Sequence, residues 1–213
     1  VADVAPLLAA LGAAVEVVQL SRSPRIGLWR SAQWSRATRA MQERLEHVAS
    51  ALTRAGAEVR EVAPLPDEPV LADDQTLIMA AEAARTFESL RRTAGPSLSP
   101  QLTALLDRGM AAAPGEVRAA KDRAGRAWTA ATALLAELDV LMTPSAPGEA
   151  PEGLASTGDP VFNRVVTMLG FPCLSVPAGT GPSGLPLGVQ LVGAPRAEAA
   201  LLAVAGWVES RLG

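Results

Sequence analysis

Hydrophobic residues recur along this chain with two different periods, and each period predicts a different kind of element. Apolar positions three to four residues apart predict a helix over residues 37–56, with Gly56 as its C-terminal cap. Alternating stretches on either side, "PRIGLWR" (24–30) and "AEVREV" (57–62), predict two strands. Because short connections join strand, helix and strand into a βαβ unit, we expect the two strands to pair in parallel with a right-handed crossover.

The rest of the chain continues the mixture of helices and strands. A short helix is predicted over 1–12, mainly helices over 67–138, a buried strand over 140–142, and a further short helix within 159–172. Two strand-like stretches, "CLSVPAG" and "LPLGVQLVG", precede a closing amphipathic helix. A proline-rich loop around 144–151 is the only linker-like stretch, so we interpret residues 1–213 as a single α/β domain.

Composition excludes several classes of protein. Of the 213 residues 49% are hydrophobic and 19% charged, which is enough apolar material for a packed core. The formal net charge of −3 argues against a nucleic-acid partner, and no apolar run is long enough to predict a membrane span. His47 and Cys173 are the only histidine and cysteine, too few ligands for a typical zinc site. We expect no metal, no cofactor and a cytoplasmic location.

The stretch "GTGPSG" (179–184) has the G-x-G-x-x-G spacing of dinucleotide-binding loops. That function needs a strand before the glycines and a helix after them, so that the pyrophosphate meets the helix N-terminus. The segment that follows here, "LPLGVQLVG", contains a proline and β-branched residues and is typical of a strand. We therefore predict a β-hairpin whose turn is "GTGPSG".

No complete catalytic set emerges from the individual residues. We interpret Ser175 as a strand hydroxyl satisfied by backbone, His47 as a solvent-exposed helix residue, Lys121 as part of a charged surface, and Cys173 as a small buried filler. Two pairs of carboxylates are expected to be solvated, at a helix start and at a strand edge: Asp73 with Asp74, and Glu58 with Glu61.

Five segments in a fixed order resemble the amidase signature family. The strongest are "LDVLMTPSAPG" (138–148), "GDPVFNRVVTMLGFPCLSVPAG" (158–179) and "GLPLGVQLVGAP" (184–195); "VADVAPLLAAL" and "PRIGLWR" with "AGAEVREV" add to the resemblance. The family pattern is a D-V-L-x-T-P strand and loop, an F-N helix ending in G-x-P, L-S-V-P-x-G, and then G-L-P-x-G-x-Q-x-x-G. The likeness runs from residue 1 to the end.

The resemblance implies an α/β/α fold with a mixed central sheet, and hydrolysis of amide C–N bonds in a small-molecule amide. The family uses a serine nucleophile, a second serine in a cis peptide and a lysine base, with a Gly/Ser-rich loop that holds the oxyanion. None of these elements matches a residue of this chain. We therefore expect this chain to be the C-terminal half of an amidase domain, inactive alone and partnered by a missing N-terminal half, and the formation of a homo-oligomer stays open.

The position of three polar residues in the family pattern points to the substrate pocket. Thr143 ends a strand at the carboxyl edge of the sheet, where ligand clefts of α/β sheets lie, and Asn163 and Thr167 lie on the helix that follows. We predict that these three residues line the pocket; the alternative is that they only cap and pack. At the level of the whole chain, the alternative to an amidase half is a remnant or scaffold subunit that kept the fold and lost the chemistry.

Overall fold

The computed structural model describes residues 1–13, 15–16 and 19–212, and its centre is a five-stranded sheet. The strands are β1 (Arg25–Leu28), β2 (Glu58–Glu61), β3 (Val140–Pro144), β4 (Cys173–Thr180) and β5 (Pro186–Val192). The helices are α1 (Val4–Ala10), α2 (Arg39–Arg54), α3 (Glu68–Thr86), α4 (Glu88–Ala94), α5 (Pro100–Ala111), α6 (Pro114–Glu137), α7 (Val161–Leu169) and α8 (Glu198–Leu212). No helix of this described part is both long and apolar enough to cross a membrane.

The predicted βαβ unit is present, and its strands β1 and β2 pair in parallel. Thr38 caps the start of α2, because its hydroxyl oxygen accepts a hydrogen bond from the Met41 amide. At the other end Gly56 has a φ of 97°, which an L side chain rarely adopts, and the amide of Ala57 donates back to the Leu52 carbonyl. Gly56 therefore ends this helix as predicted, whereas the start at Arg39, set by Thr38, lies two residues inside the predicted range.

The sheet is mixed, with the strand order β2-β1-β3-β5-β4. Strand β3 pairs with β1 in parallel and with β5 antiparallel, and β4 and β5 form the predicted antiparallel hairpin. In this register Gln190 on β5 lies between Thr143 on β3 and Ser175 on β4. Three polar residues thus share one row across three strands.

Helices cover both faces of the sheet and form two hydrophobic clusters, which gives the expected α/β/α arrangement. On one face, α2 and α8 pack against side chains such as Val140 and Met142. On the other face, α6 and α7 pack against Leu141 and Val192. Successive side chains of β3 are all buried but point to alternate faces of the sheet, as the period of two in a strand requires.

Residues 67–138 are mainly helical, as predicted, but the helix that contains Asp73 and Asp74 begins before these two residues. Helix α3 starts at Glu68, next to a proline that suits the first turn, so Asp73 and Asp74 lie inside the helix and not at its start. Asp74 is buried and accepts two hydrogen bonds from the Arg123 guanidinium of α6, at 2.6 and 2.7 Å. The interpretation of Asp74 as a solvated charge was therefore wrong. The helix also breaks at Phe87, which separates α3 from α4.

Candidate functional site

A groove of about 760 Å³ lies where β3 ends at the carboxyl edge of the sheet. Its walls are the loop 145–160, the start of α7 and the start of β5, and its polar lining includes Ser145, Glu149, Asp159 and Asn163. This is the edge at which α/β proteins place their ligands. The groove is therefore the candidate functional site.

Asn163, in the first turn of α7, connects three parts of the groove. Its Nδ2 donates to the Ser145 carbonyl at 3.0 Å, and its Oδ1 accepts from Gln190 Nε2 at 2.6 Å. The side chain is half-buried and lines the groove. Two hydrogen bonds to strand-anchored partners fix this amide at the groove wall.

Thr143 and Gln190 lie beneath this contact, facing each other across β3 and β5. Thr143 is 1% exposed and Gln190 is 4% exposed. Within the described residues, Thr143 Oγ1 and Gln190 Oε1 have no hydrogen-bond partner. Buried polar atoms without partners are uncommon in folded proteins, so they mark this end of the sheet as unusual.

The hydroxyl of Ser175 on β4 does not have the backbone partner that we expected for it. It accepts a hydrogen bond from the Ser145 hydroxyl at 3.0 Å, and the residue is exposed. Cys173 on the same strand is also exposed, so the prediction of a buried filler was wrong. The exposure of both residues has one cause: this face of β4 is uncovered in the described part of the chain, whereas α6 and α7 cover the same face of the sheet at Leu141 and Val192.

The acidic side chains of the groove already have partners. Asp159 lies 2.8 Å from the Arg36 guanidinium and 3.6 Å from that of Arg164. Glu149 accepts hydrogen bonds from the backbone amides of Ser183 and Leu185, at 2.9–3.2 Å. The groove therefore presents little unpaired charge to a ligand.

These bonds of Glu149 also explain the "GTGPSG" stretch. It forms the predicted hairpin turn, with Gly179 and Gly184 at positive φ and the Gly181 amide bonded to the Leu185 carbonyl. The amides of the turn do hold an anion, but the anion is the carboxylate of Glu149. Partial burial raises the pKa of Glu149, but the hydrogen bonds from Leu185 and Ser183 lower it by more. The pKa of Glu149 therefore lies below its ordinary value.

Thr167 lies one turn beyond Asn163 but opens onto a different groove. It is exposed and lines a depression of about 600 Å³ between α7, α3 and α6. Thr143 is thus the strand neighbour of Gln190, which donates a hydrogen bond to Asn163. Thr167 lies on the neighbouring surface. Of the remaining candidates, His47 is exposed on α2, as predicted, and lines neither groove. Lys121 lies on the charged surface that we expected and lines the same depression as Thr167, where its ammonium pairs with Glu82 at 3.0 Å.

Sequence reasoning missed Gln190, Ser145 and Glu149. Gln190 had a detectable signal, because it is a polar residue at an inward position of an otherwise apolar hairpin strand. The roles of Ser145 and Glu149 depend on how the proline-rich loop folds back on the hairpin, and no local pattern encodes that contact. Loop residues that contact distant turns are difficult to identify from periodicity alone.

Comparison with known proteins gives a consistent result. The family model described as Amidase matches residues 7–202. Over 89 residues the chain is 42% identical to a glutamyl-tRNA(Gln) amidotransferase subunit of Mesorhizobium japonicum, an alignment that covers 37% of this chain and 17% of that protein.

Two solved structures show the same fold. A crystal structure of an amidase superposes with a TM-score of 0.88 at 26% identity, covering 100% of this chain and 51% of that chain. The structure of 6-aminohexanoate cyclic dimer hydrolase gives a TM-score of 0.69 at 19% identity, covering 93% of this chain and 49% of that one. This chain therefore spans about half the length of these solved structures. From the family match over residues 7–202, together with the fold, the chain belongs to the amidase family.

Proposed function

We propose that this chain is the C-terminal part of an amidase that hydrolyses carboxamide C–N bonds. In this proposal the catalytic serines and lysine lie in a segment that precedes the chain, and residues 1–213 supply part of the sheet and a wall of the substrate pocket. The observation that carries the proposal is the groove at the end of β3, where the side-chain amide of Asn163 is held between Ser145 and Gln190.

The electrostatics of the groove favour a neutral polar substrate. Its two carboxylates are already bonded to arginines or to backbone amides, so a charged ligand would find little unpaired counter-charge. A carboxamide is neutral and both donates and accepts hydrogen bonds, which matches the side chains present. A small-molecule amide is therefore the substrate class that we propose.

The three pocket residues are given different roles. Asn163 contacts the substrate directly, and Thr143 contributes the buried hydroxyl beneath it. Thr167, which lines the adjacent groove, is assigned to the more distant wall, where a longer substrate or the preceding half of the domain would lie.

Partners and location follow from the same proposal. The missing N-terminal half is the principal partner, and cytoplasmic location is consistent with a single cysteine. Relatives with this fold have names that refer to different substrates, among them glutamyl-tRNA(Gln) and a 6-aminohexanoate cyclic dimer. The proposal is accordingly limited to the carboxamide bond and does not name the substrate.

Substitutions in the full-length protein test the pocket. We expect Asn163→Ala to lower kcat/KM for an amide by about tenfold or more, since the hydrogen bonds of this side chain to the substrate are lost. Thr143→Val, which keeps the shape but removes the hydroxyl, should give a smaller loss. Leu191→Met, a volume-conserving change on the opposite face of β5, is the matched control. Unchanged kcat and KM in both test variants would exclude these residues from the pocket.

A second candidate is a scaffold subunit with the amidase fold and no catalytic activity. What favours it is that no residue of this chain matches the serines and the lysine of the family, and that the single lysine of the chain forms an ion pair with Glu82 on the helical surface. The coding sequence upstream of Val1 separates the two candidates. A Gly/Ser-rich segment there supports the hydrolase, and an unrelated sequence supports the scaffold.

A further inference from the structure

The orientations of the two amides in the groove are determined by one backbone carbonyl. The carbonyl of Ser145 can only accept a hydrogen bond, so the side of Asn163 that faces it must be Nδ2. The Oδ1 atom then faces Gln190, and only Nε2 of Gln190 can donate to it. The arrangement Gln190, Asn163, Ser145 is therefore a directed chain with a single consistent orientation.

Gln190 is the fixed donor at one end of this series of hydrogen bonds. It lies in the middle of β5, between β3 and β4, and its side chain is almost completely buried. Its neighbours along the strand, Val189 and Leu191, belong to the core of the opposite face. A buried amide in this position has little freedom to rotate, so its Nε2 is a rigid donor for Asn163.

Stability alone does not account for a glutamine at this position. Its Oε1 has no hydrogen-bond partner among the described residues, and the same is true of the neighbouring Thr143 hydroxyl. Burial of an unpaired polar atom is unfavourable, and an apolar side chain of similar length would avoid that cost. The residue is better explained by what its Nε2 does for Asn163.

We infer that Gln190 is a positioning residue that makes the groove selective for amides over esters. With one hydrogen of Nδ2 bound to Ser145 and one lone pair of Oδ1 bound to Gln190, Asn163 has one donor and one acceptor left for a ligand. A carboxamide matches both groups, whereas an ester of the same shape has no N–H to donate. This inference rests on the proposed function, since it concerns the same groove.

The test measures kcat/KM of the full-length protein for an amide and for its isosteric ester, in wild type and in Gln190→Met. Methionine fills a similar volume but cannot donate to Asn163. We expect the amide value to fall by about tenfold, mainly through KM, while the ester value changes by less than about twofold. Leu191→Met serves as the control for a change of packing in the same strand.

A double-mutant cycle tests whether Gln190 acts through Asn163. If it does, Gln190→Met should cause little further loss in amide kcat/KM when Asn163 is already alanine. The inference would be overturned if the fold-losses in amide kcat/KM of the two single variants multiplied in the double variant. It would also be overturned if Gln190→Met lowered kcat/KM equally for the amide and the ester. The wild-type amide activity decides the proposed function separately, so the two can fail independently.

A second variant covers the case in which Gln190→Met does not fold. Gln190→Glu keeps the shape, and its carboxyl can donate to Asn163 only when it is protonated. We expect the amide-to-ester ratio of this variant to fall as the pH is raised from about 5 to about 9, and wild type to show no such change. A ratio that is independent of pH and equal to that of wild type would contradict the inference.

Discussion

Among single residues, Asp139 shows how one carboxylate joins two strands. It lies just before β3 and accepts hydrogen bonds from the Arg22 guanidinium, at 2.5 and 2.8 Å, and from the backbone amide of Arg25, at 2.7 Å. Burial raises the pKa of Asp139, but the hydrogen bonds and the charges of the two arginines outweigh burial and lower it below its ordinary value. The ionised form is therefore the one that folding favours.

This direction of the pKa shift predicts how stability depends on pH. A carboxylate whose pKa is lowered by folding stabilises the protein above its unfolded-state pKa, and this contribution is lost as the pH falls through the folded-state value. We expect Asp139→Asn to lower the free energy of unfolding by about 1–2 kcal/mol at neutral pH. The difference between the two proteins should shrink as the pH falls from about 6 to about 3.

Urea denaturation of both proteins across this pH range measures the effect. Glu43→Gln, in an exposed pair with Arg39 on the surface of α2, is a suitable control with an expected effect near zero. Stability curves for wild type and Asp139→Asn that stay parallel at every pH would contradict the role assigned to Asp139.

At the scale of elements, the contact between α3 and α5 depends on one glycine. A Cβ added to Gly109 would lie 2.0 Å from the backbone oxygen of Ala80 and 2.8 Å from the Ala84 Cβ. Real Cβ atoms do not approach a backbone oxygen so closely, and neither helix can yield at that point without a shift of its axis. The close approach of these two helices therefore requires glycine at position 109.

Gly109→Ala should lower the free energy of unfolding by about 1–3 kcal/mol because the helices must separate. Gly125 in α6 provides a matched control, because an added Cβ there meets no atom within 4 Å. We expect Gly125→Ala to raise stability by about 0.5–1 kcal/mol, the usual gain in helix propensity. Thermal unfolding of both variants measures the two effects. Equal changes in stability at the two positions would show that the contact between α3 and α5 does not require glycine at position 109.

Features with local causes could be predicted from the sequence. The βαβ unit, the Gly56 cap and the "GTGPSG" hairpin follow from periodicity and from the conformational freedom of glycine, and all three are present. Features that depend on distant partners could not. The burial of Asp74 requires Arg123, and the exposure of Cys173 requires knowledge of what covers β4.

The candidate site divides in the same way. The location of Thr143 at the end of β3 follows from the strand pattern, whereas the separation of Asn163 from Thr167 into two grooves does not. Residues four positions apart on a helix share a face. The start of α7, with Asn163, lies beside the loop after β3, whereas its end, with Thr167, lies beside α3 and α6. The helical period alone does not show where such a boundary between neighbours falls.

For the whole molecule, the uncovered parts of the sheet determine the expected behaviour in solution. Strands β2 and β4 are the two edges, and neither has a second partner strand in the part of the chain that the structure describes. Large apolar side chains such as Leu11, Met110 and Leu154 are also exposed. Unpaired strand edges and exposed apolar groups promote association.

We therefore expect residues 1–213 alone to aggregate or to require a partner. Size-exclusion chromatography with light scattering, followed by thermal unfolding, tests this expectation, and the same protein extended upstream is the control. A monodisperse monomer with a cooperative unfolding transition would contradict it.

An amide-hydrolysis assay that compares the full-length protein with residues 1–213 tests the proposed hydrolase activity directly. Both are incubated with the same panel of small aliphatic and aromatic amides, and the release of ammonia or amine is measured. We expect turnover by the full-length protein and none above buffer by residues 1–213. Turnover by residues 1–213 alone, or none by a full-length protein that carries the Gly/Ser-rich segment, would contradict it.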